Sequence, residues 1–320
     1  MKVAVIVNPN AQRMAKGYFQ KIRALLKPDL IFETESISEL DKTIKLVKKE
    51  MPDIVVLSGG DGTLNIGITK LIRAYKNELD NNLPIILHSR AGTMNFIADN
   101  IPVNGDPDTI FIKLKDMLQS IRSVQDIPRD NIKKTKIMKI QSDLFAEEKY
   151  SFSVVFGIPF FLIKRFYGMG KRNQKSALRM VSTAISKFVM GDRSGSELSK
   201  SVEANIFIDG KEYMFEKHIC IVASPFRKLV LFFQPFYVKD DKWKDGFYFF
   251  VLSEDVWEAL KNFRVLSRGL KRLKKSFNDI SENVVISSRG GFALDGEIYE
   301  PNKTYTMNIS LGPVVNFLKI

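Results

Sequence analysis

The residues best suited to chemistry form a glycine-rich turn after a short apolar run. Ile54–Leu57 is rich in β-branched residues, which predicts a buried strand. The turn Gly59–Gly62 follows, and from Thr63 to Leu79 apolar residues recur at the three- and four-residue spacing of a helix. Such a junction directs free backbone N–H groups and the positive end of a helix dipole at one point. A phosphate binds well there.

Asp61 is an unexpected residue in an anion site, because a carboxylate repels phosphate. It indicates either a cation such as Mg²⁺ between the two charges or a group that exchanges protons. We expect little core packing to depend on Asp61, since it lies in a glycine turn. The alternative is an ordinary strand–turn–helix connection in which the glycines serve turn geometry alone.

Three later segments also combine glycine with polar residues. Gly92–Asn95 follows an apolar, strand-like run, and Thr93 is a suitable cap for the next helix. Asp245–Gly246 and Asp295–Glu297 place carboxylates beside a glycine. Taken singly, each Asp-Gly pair is also typical of a tight turn.

The string Gly-Gly-Asp-Gly-Thr at 59–63 resembles the nucleotide-binding motif of the diacylglycerol kinase catalytic family, which is related to sphingosine kinases and NAD kinases. The resemblance runs along nearly the whole chain, since Gly92, Thr93 and Asn95 match a second family motif and the Asp-Gly segments follow in family order. It implies an ATP-dependent lipid kinase that phosphorylates a lipid hydroxyl. Conversion of diacylglycerol to phosphatidic acid is the reaction that the resemblance favours most. The residues themselves do not choose among diacylglycerol, a sphingoid base, phosphatidylglycerol and another lipid alcohol.

The resemblance also implies the residues of the site. Those implied to contact ATP are Asn8, Thr34, Gly59, Gly60, Asp61, Gly62, Thr63, Leu64, Asn65, Gly92, Thr93 and Asn95. A structural Mg²⁺ would be held by the side chain of Asp245 and by the backbone carbonyls of Lys242 and Phe247. The lipid would enter between two domains.

The proton of the lipid hydroxyl needs an acceptor, because an alcohol is a poor nucleophile. The resemblance implies that Asp295 or Glu297 accepts it, and Asp61 is a further candidate. All three therefore stand as expected catalytic residues.

Two departures from the family pattern leave alternatives open. Many members have an aspartate where this chain has Phe96, and a glutamate where it has Ile66. A non-catalytic lipid- or nucleotide-binding relative is therefore an alternative. An NAD kinase-like enzyme is a weaker one, because we do not find its usual asparagine–glutamate pair.

The predicted fold class is α/β followed by β. Alternating strand and helix patterns up to about residue 122 predict a doubly wound, Rossmann-like α/β domain over residues 1–126. Short strand-like runs predict an antiparallel β-sandwich domain with helical insertions over residues 127–310. Residues 311–320 resemble the family segment that packs back onto the first domain.

Composition narrows the partners. The 320 residues carry a formal net charge of +13, which favours an anionic partner: a nucleic acid, a nucleotide or an acidic lipid surface. Together with the family resemblance, we expect a nucleotide and an anionic membrane surface as partners, and no nucleic acid. The single cysteine, Cys220, excludes an intramolecular disulfide and, with two histidines, makes a zinc site unexpected.

No apolar run is long enough to span a bilayer, so we expect a cytoplasmic protein, peripheral at the inner face of the membrane. The sequence does not indicate an oligomeric state.

A basic amphipathic pattern covers residues 260–277. Its apolar residues recur at helical spacing: Leu260, Phe263, Leu266, Leu270, Leu273 and Phe277. Seven Lys and Arg residues lie between them, with no acid from 261 to 275. The pattern predicts an interfacial helix, interrupted at Gly269, that binds anionic membranes. The alternative is a surface helix with a solvated basic face.

Overall fold

The structure is a computed structural model that describes residues 1–11, 17–76, 83–92, 95–169, 174–191, 200–230, 233–238 and 245–320. These residues form a mixed α/β fold with two sheets. The chain divides into two compact units, Met1–Lys136 with Pro313–Ile320, and Ile137–Gly312.

The first unit alternates strands and helices. Its elements are β1 (Val3–Val7), α1 (Tyr18–Leu26), β2 (Leu30–Glu33), α2 (Ile37–Glu50), β3 (Ile54–Ser58), α3 (Asp61–Ala74), β4 (Ile85–His88), α4 (Phe96–Asn100) and α5 (Pro107–Ser120). The strands are parallel in the order β2-β1-β3-β4. Phe317 near the C-terminus pairs in parallel with Ile86 of β4. Every residue of β1 and β3 is buried, as expected of central strands in a parallel sheet.

Local sequence signals explain where the helices of this unit begin. Ser36 accepts a hydrogen bond from the Glu39 N–H, and the Glu39 carboxylate accepts one from the Ser36 N–H, which forms a capping box before α2. Asp106 caps α5 by accepting from the Thr109 N–H at 2.8 Å. Helix α3 has no side-chain cap at Gly60, so its first N–H groups stay available for a ligand.

The second unit is built mainly from antiparallel strands. Its strands are β5 (Ile132–Ser142), β6 (Lys149–Ser151), β7 (Val154–Gly157), β8 (Val202–Ile208), β9 (Lys211–Tyr213), β10 (Lys217–His218), β11 (Cys220–Ser224), β12 (Phe247–Leu252), β13 (Ser276–Ser281), β14 (Asn283–Ser288), β15 (Phe292–Leu294), β16 (Glu297–Tyr299) and β17 (Tyr305–Leu318). Its helices are α6 (Ile158–Tyr167), α7 (Gln174–Val189), α8 (Val256–Lys261) and α9 (Phe263–Leu266). The boundaries between the two units fall inside β5 and β17.

Two groups of strands share the core of this unit. One runs β10-β8-β14-β17, and the other runs β13-β12-β11-β7-β15-β16. Alternate residues of both, such as Ile206, Ile286 and Phe249, lie in one hydrophobic cluster. The other face of the six-stranded group is covered by apolar residues of α6 and of the segment around α9. Cys220 is buried there, and burial raises the pKa of its thiol to about 12, so it is a core residue.

The expectation of one helix over residues 260–277 is wrong. Helix α9 ends in a Schellman motif, in which the Leu270 N–H bonds to the Val265 carbonyl and the Gly269 N–H bonds to the Leu266 carbonyl. Gly269 has φ +58°, and a Cβ there would lie 2.3 Å from the Phe236 carbonyl oxygen. The chain then continues to β13 without further helix. Leu266 and Leu273, on either side of the break at Gly269, are both buried in the core. Their spacing in the sequence therefore resembles that of a helix although no helix connects them.

Among the described residues, no helix is both long enough and apolar enough to span a bilayer.

Candidate functional site

The residues expected to contact a nucleotide meet at the carboxyl ends of the parallel strands. Asn8 follows β1, and its N–H bonds to the Ser58 carbonyl at 2.9 Å. Thr34 follows β2 and bonds through its N–H to the Val7 carbonyl, also at 2.9 Å. Gly59 follows β3, and the Ala91 N–H beyond β4 bonds to its carbonyl at 2.9 Å. Ligands bind at this edge in open α/β sheets.

Two of the glycines are in direct backbone contact. A Cβ added to Gly60 would lie 3.1 Å from the Gly92 Cα, and a Cβ added to Gly92 would lie 2.5 Å from the Gly60 Cα. Gly92 therefore excludes any larger residue, whereas a Cβ at Gly60 would require the neighbouring backbone to shift by a few tenths of an ångström. Gly62 differs, because a Cβ there would meet nothing within 4 Å. The open side of Gly62, on the first turn of α3, leaves room for a ligand against the backbone.

Asp61 begins α3, but its carboxylate serves another helix. Its oxygens accept hydrogen bonds from the N–H groups of Phe96, at 2.6 Å, and Ile97, at 3.2 Å, which are the first residues of α4. Asp61 thus ties the two glycine loops together. Burial raises the pKa of Asp61 to about 6, although both N–H bonds act to lower it.

His88 takes part in the site, and sequence reasoning did not identify it. Its side chain is 1% exposed, and its Nε2 lies 3.0 Å from the Gly59 carbonyl oxygen. Since the Ala91 N–H bonds to the same oxygen, Nε2 acts as the second donor to it. The hydroxyls of Ser58 and Ser89, at the ends of the same two strands, are also buried and lie 3.0 Å apart. This polar cluster fixes the first glycine loop against the second.

Burial lowers the pKa of His88 to about 4, so its imidazole is neutral in the folded protein. The unfolded chain, with an ordinary pKa of about 6.5, takes up the proton more readily. Stability from this group is therefore complete above pH 6.5 and decreases as the pH falls toward 4. Replacing His88 with asparagine should remove about 3 kcal/mol of acid-dependent change from the free energy of unfolding. Urea unfolding of both proteins between pH 4.5 and 7.5 measures it, and parallel profiles would contradict it.

Three asparagines complete the loop region. The Asn8 Nδ2 donates to the Thr63 hydroxyl at 2.8 Å, which holds the first turn of α3 against β1. The side-chain oxygens of Asn65 and Asn95 are buried and have no hydrogen-bond partner among the described residues. Unsatisfied buried oxygens of this kind suit a cation or a bound water more than a phosphate oxygen. Leu64 is fully buried and anchors α3 to the core.

Two expected contacts lie outside the described residues. Thr93 of the second glycine loop is one of them, and Lys242 of the expected metal site is the other. Of that site, the structure describes Asp245, which is exposed, and Phe247, which is buried in β12. Within the described part of the chain, no group of three or more His, Cys, Asp or Glu side chains is placed to hold a metal.

Asp295 occupies a hairpin turn between β15 and β16. Asp295 and Gly296 have φ values of +46° and +87°, as a type I′ turn requires. The Asp295 carboxylate accepts hydrogen bonds from the Phe152 N–H, at 2.9 and 3.1 Å, and from the hydroxyls of Ser151, at 3.0 Å, and Ser153, at 3.1 Å. Its lone pairs are committed to anchoring the hairpin.

Glu297 lies two residues later and is exposed. One of its oxygens lies 3.8 Å from the Lys149 ammonium nitrogen, which also bonds to the Tyr299 hydroxyl. The Lys149 ammonium sits over the rings of Phe145 and Tyr299, at 4.8 and 4.7 Å from their centroids. Burial, followed by the nearby Glu297, raises the pKa of the Tyr299 phenol. The Glu297 carboxylate therefore lies at the surface next to a positioned cation.

The glycine loops lie in a segment that matches a known protein family. Residues 2–126 match the model of the diacylglycerol kinase catalytic domain. The resemblance to the diacylglycerol kinase catalytic family is confirmed. The matched segment contains both glycine loops of the first unit.

Solved structures with a similar fold are also found. A protein from Bacillus anthracis strain Sterne described as a diacylglycerol kinase has a TM-score of 0.60 and 13% identity, over 99% of this chain and 96% of its own. Two more from that strain, described provisionally as diacylglycerol kinases, have TM-scores of 0.64 and 0.62 and identities of 13% and 15%. The alignments cover 100% and 99% of this chain and 97% and 96% of theirs. No curated protein matches the chain.

Proposed function

We propose that the protein is an ATP-dependent lipid kinase that converts diacylglycerol to phosphatidic acid. One observation carries the proposal: Gly60 and Gly92 touch at the carboxyl ends of β3 and β4, beside the uncapped start of α3. This arrangement lies within the segment that matches the kinase family. We further propose a doubly wound nucleotide domain at the N-terminus and a lipid-binding β-sandwich domain.

The residues at the glycine loops fit ATP and its cation. The first N–H groups of α3 lack partners within their own helix and face an open space at Gly62, which suits phosphate oxygens. The unsatisfied oxygens of Asn65 and Asn95 suit Mg²⁺ or its bound water. When bound, Mg²⁺ supplies neutralising charge for the phosphates. The ligand set of Asp245 and the carbonyls of Lys242 and Phe247 remains our proposal for a second, structural Mg²⁺.

We propose Glu297 as the acceptor of the lipid proton and Asp295 as the residue that positions it. Asp295 already accepts bonds from three neighbours, whereas Glu297 is exposed. In the proposed step the lipid hydroxyl oxygen forms a bond to the γ-phosphorus of ATP, and the bond from that phosphorus to the β-phosphate oxygen breaks. ADP leaves, and the hydroxyl proton moves to the Glu297 carboxylate.

A phosphate-transfer screen tests the proposal. The full chain is incubated with γ-labelled ATP and Mg²⁺ and with a panel of diacylglycerol, a sphingoid base, phosphatidylglycerol and NAD. We expect label in the lipid fraction, strongest with diacylglycerol. Label on NAD alone would favour the NAD kinase-like alternative. ATP binding without label in any acceptor would favour a non-catalytic relative, as Ile66 and Phe96 allow.

An enzyme of this kind meets its acceptor at a bilayer. We therefore propose that the protein associates peripherally with anionic membrane from the cytoplasmic side, without a nucleic-acid partner.

A further inference from the structure

The second unit exposes apolar side chains among basic ones. The apolar residues are Val189 and Met190 at the end of α7, Phe263 on α9 and Leu270 after it, which are 55%, 82%, 44% and 61% exposed. Five basic residues share the last part of this surface: Arg264, Arg268, Lys271, Lys274 and Lys275. We call these nine residues the α7–α9 surface.

Buried contacts hold the α7–α9 surface in a fixed form. Phe188, next to Val189, packs on Trp257 of α8 with ring centroids 5.1 Å apart, in a cluster that includes Leu260. Leu266 and Leu273 are inserted into the core beneath. The exposed apolar residues lie beside or between these buried residues in the sequence. The protein itself gives them no cover within the described part of the chain.

The charges of this surface are available to a partner. None of the five basic side chains has an ion pair among the described residues, whereas their neighbour Arg272 pairs with Asp279. The nearby acids, Glu254, Asp255 and Glu258, lie at the start of α8. These basic side chains repel one another, and no acid among the described residues pairs with them. Such a cluster favours an anionic partner.

We propose that the α7–α9 surface docks on an anionic phospholipid bilayer. Basic groups near such a bilayer are attracted to its surface, and exposed apolar side chains between them enter the headgroup boundary. A nucleic acid would use the charges but gain little from Leu270, Val189 and Met190. The biological role of this docking rests on the proposed lipid kinase function. The binding itself needs no nucleotide and can be measured separately.

Vesicle binding of the full chain tests the charges. We compare wild type with a quadruple variant, Arg264→Gln, Arg268→Gln, Lys271→Gln and Lys274→Gln. The matched control removes four exposed lysines elsewhere: Lys42→Gln, Lys45→Gln, Lys211→Gln and Lys303→Gln. On vesicles of phosphatidylcholine with one-third phosphatidylglycerol, we expect the first variant to bind on the order of 10²-fold more weakly and the control to change severalfold at most. Binding should also fall as salt rises.

A second pair of variants tests the apolar contacts. Phe263→Ser with Leu270→Ser should weaken vesicle binding about tenfold or more, while Phe207→Ser with Met214→Ser, which are also exposed, should not. A tryptophan placed at each position reports whether that position enters the bilayer. The fluorescence of the tryptophan in Phe263→Trp should be quenched by brominated lipids, and that of the tryptophan in Phe207→Trp should not. A duplex oligonucleotide serves as the competing partner.

The results separate this proposal from the proposed function. Equal loss in both quadruple variants, or no binding by wild type, would overturn the docking surface. Duplex binding that depends on the basic residues but not on Phe263 and Leu270 would assign the surface to nucleic acid and also overturn it. Each of these outcomes leaves phosphate transfer to a short-chain, water-soluble diacylglycerol unaffected, and that assay alone decides the kinase activity.

Discussion

Replacing Asp61 with asparagine should lower the rate of phosphate transfer at least about 10²-fold while the protein stays folded. Asparagine keeps one oxygen that can accept the Phe96 N–H, so the tie between the glycine loops persists. The substitution removes the negative charge of Asp61. A bound cation needs that charge, and so does the transfer of a proton to the side chain. The rate constant for turnover, measured with saturating ATP and lipid, gives the result.

Two further variants isolate the effect of the Asp61 charge. Asp61→Ala should also lose about 1–2 kcal/mol of stability, because the N–H groups of Phe96 and Ile97 both lose their acceptor. Asp108→Asn removes an exposed carboxylate of the same unit, paired with Lys21, and should leave turnover unchanged. Near-normal turnover in Asp61→Asn would mean that the first loop serves only turn geometry.

Replacing Glu297 with glutamine should lower turnover on the order of 10²–10⁴-fold with little change in stability. The side chain is exposed and anchors nothing in the core, so the loss would come from the missing proton acceptor. Glu300→Gln is the matched control, since that residue is also an exposed glutamate, three positions on, paired with Lys164. Its turnover should stay at the wild-type level.

Asp295→Asn should behave differently from Glu297→Gln. Its carboxylate accepts from Phe152, Ser151 and Ser153, and an asparagine can accept only part of these bonds. We expect a loss of about 1–3 kcal/mol in the free energy of unfolding and a smaller drop in turnover. Full stability with a large loss of turnover would reverse the two roles. Wild-type turnover in both variants would leave the hairpin a plain turn.

The sequence predicts the elements of the first unit because their signals are local. Apolar runs mark β1, β3 and β4, and the glycines that follow mark the loops. The Asp209–Gly210 turn is equally local, with both residues at positive φ between β8 and β9. Periodicity failed at residues 260–277, because buried side chains on both sides of the Gly269 break happen to keep helical spacing.

The contacts within the site were harder to predict, since they join distant parts of the chain. Asp61 caps α4, which begins 35 residues later, and nothing beside Asp61 in sequence indicates this. His88 could be found only by noting that β3 and β4 are neighbours, which places it beside Gly59. The anchor of Asp295 lies more than 140 residues before it. Spacing predicts which residues belong to the candidate site but not what each one contacts.

The most direct test of the lipid kinase assignment is a stoichiometric transfer measurement. Wild-type protein, Mg²⁺ and diacylglycerol vesicles are incubated in parallel with γ-labelled and with α-labelled ATP, and both ADP and lipid phosphate are counted. We expect one labelled phosphatidic acid per ADP with the γ-label and no labelled lipid with the α-label. ADP formation without lipid phosphate, or no turnover while ATP binds, would contradict it.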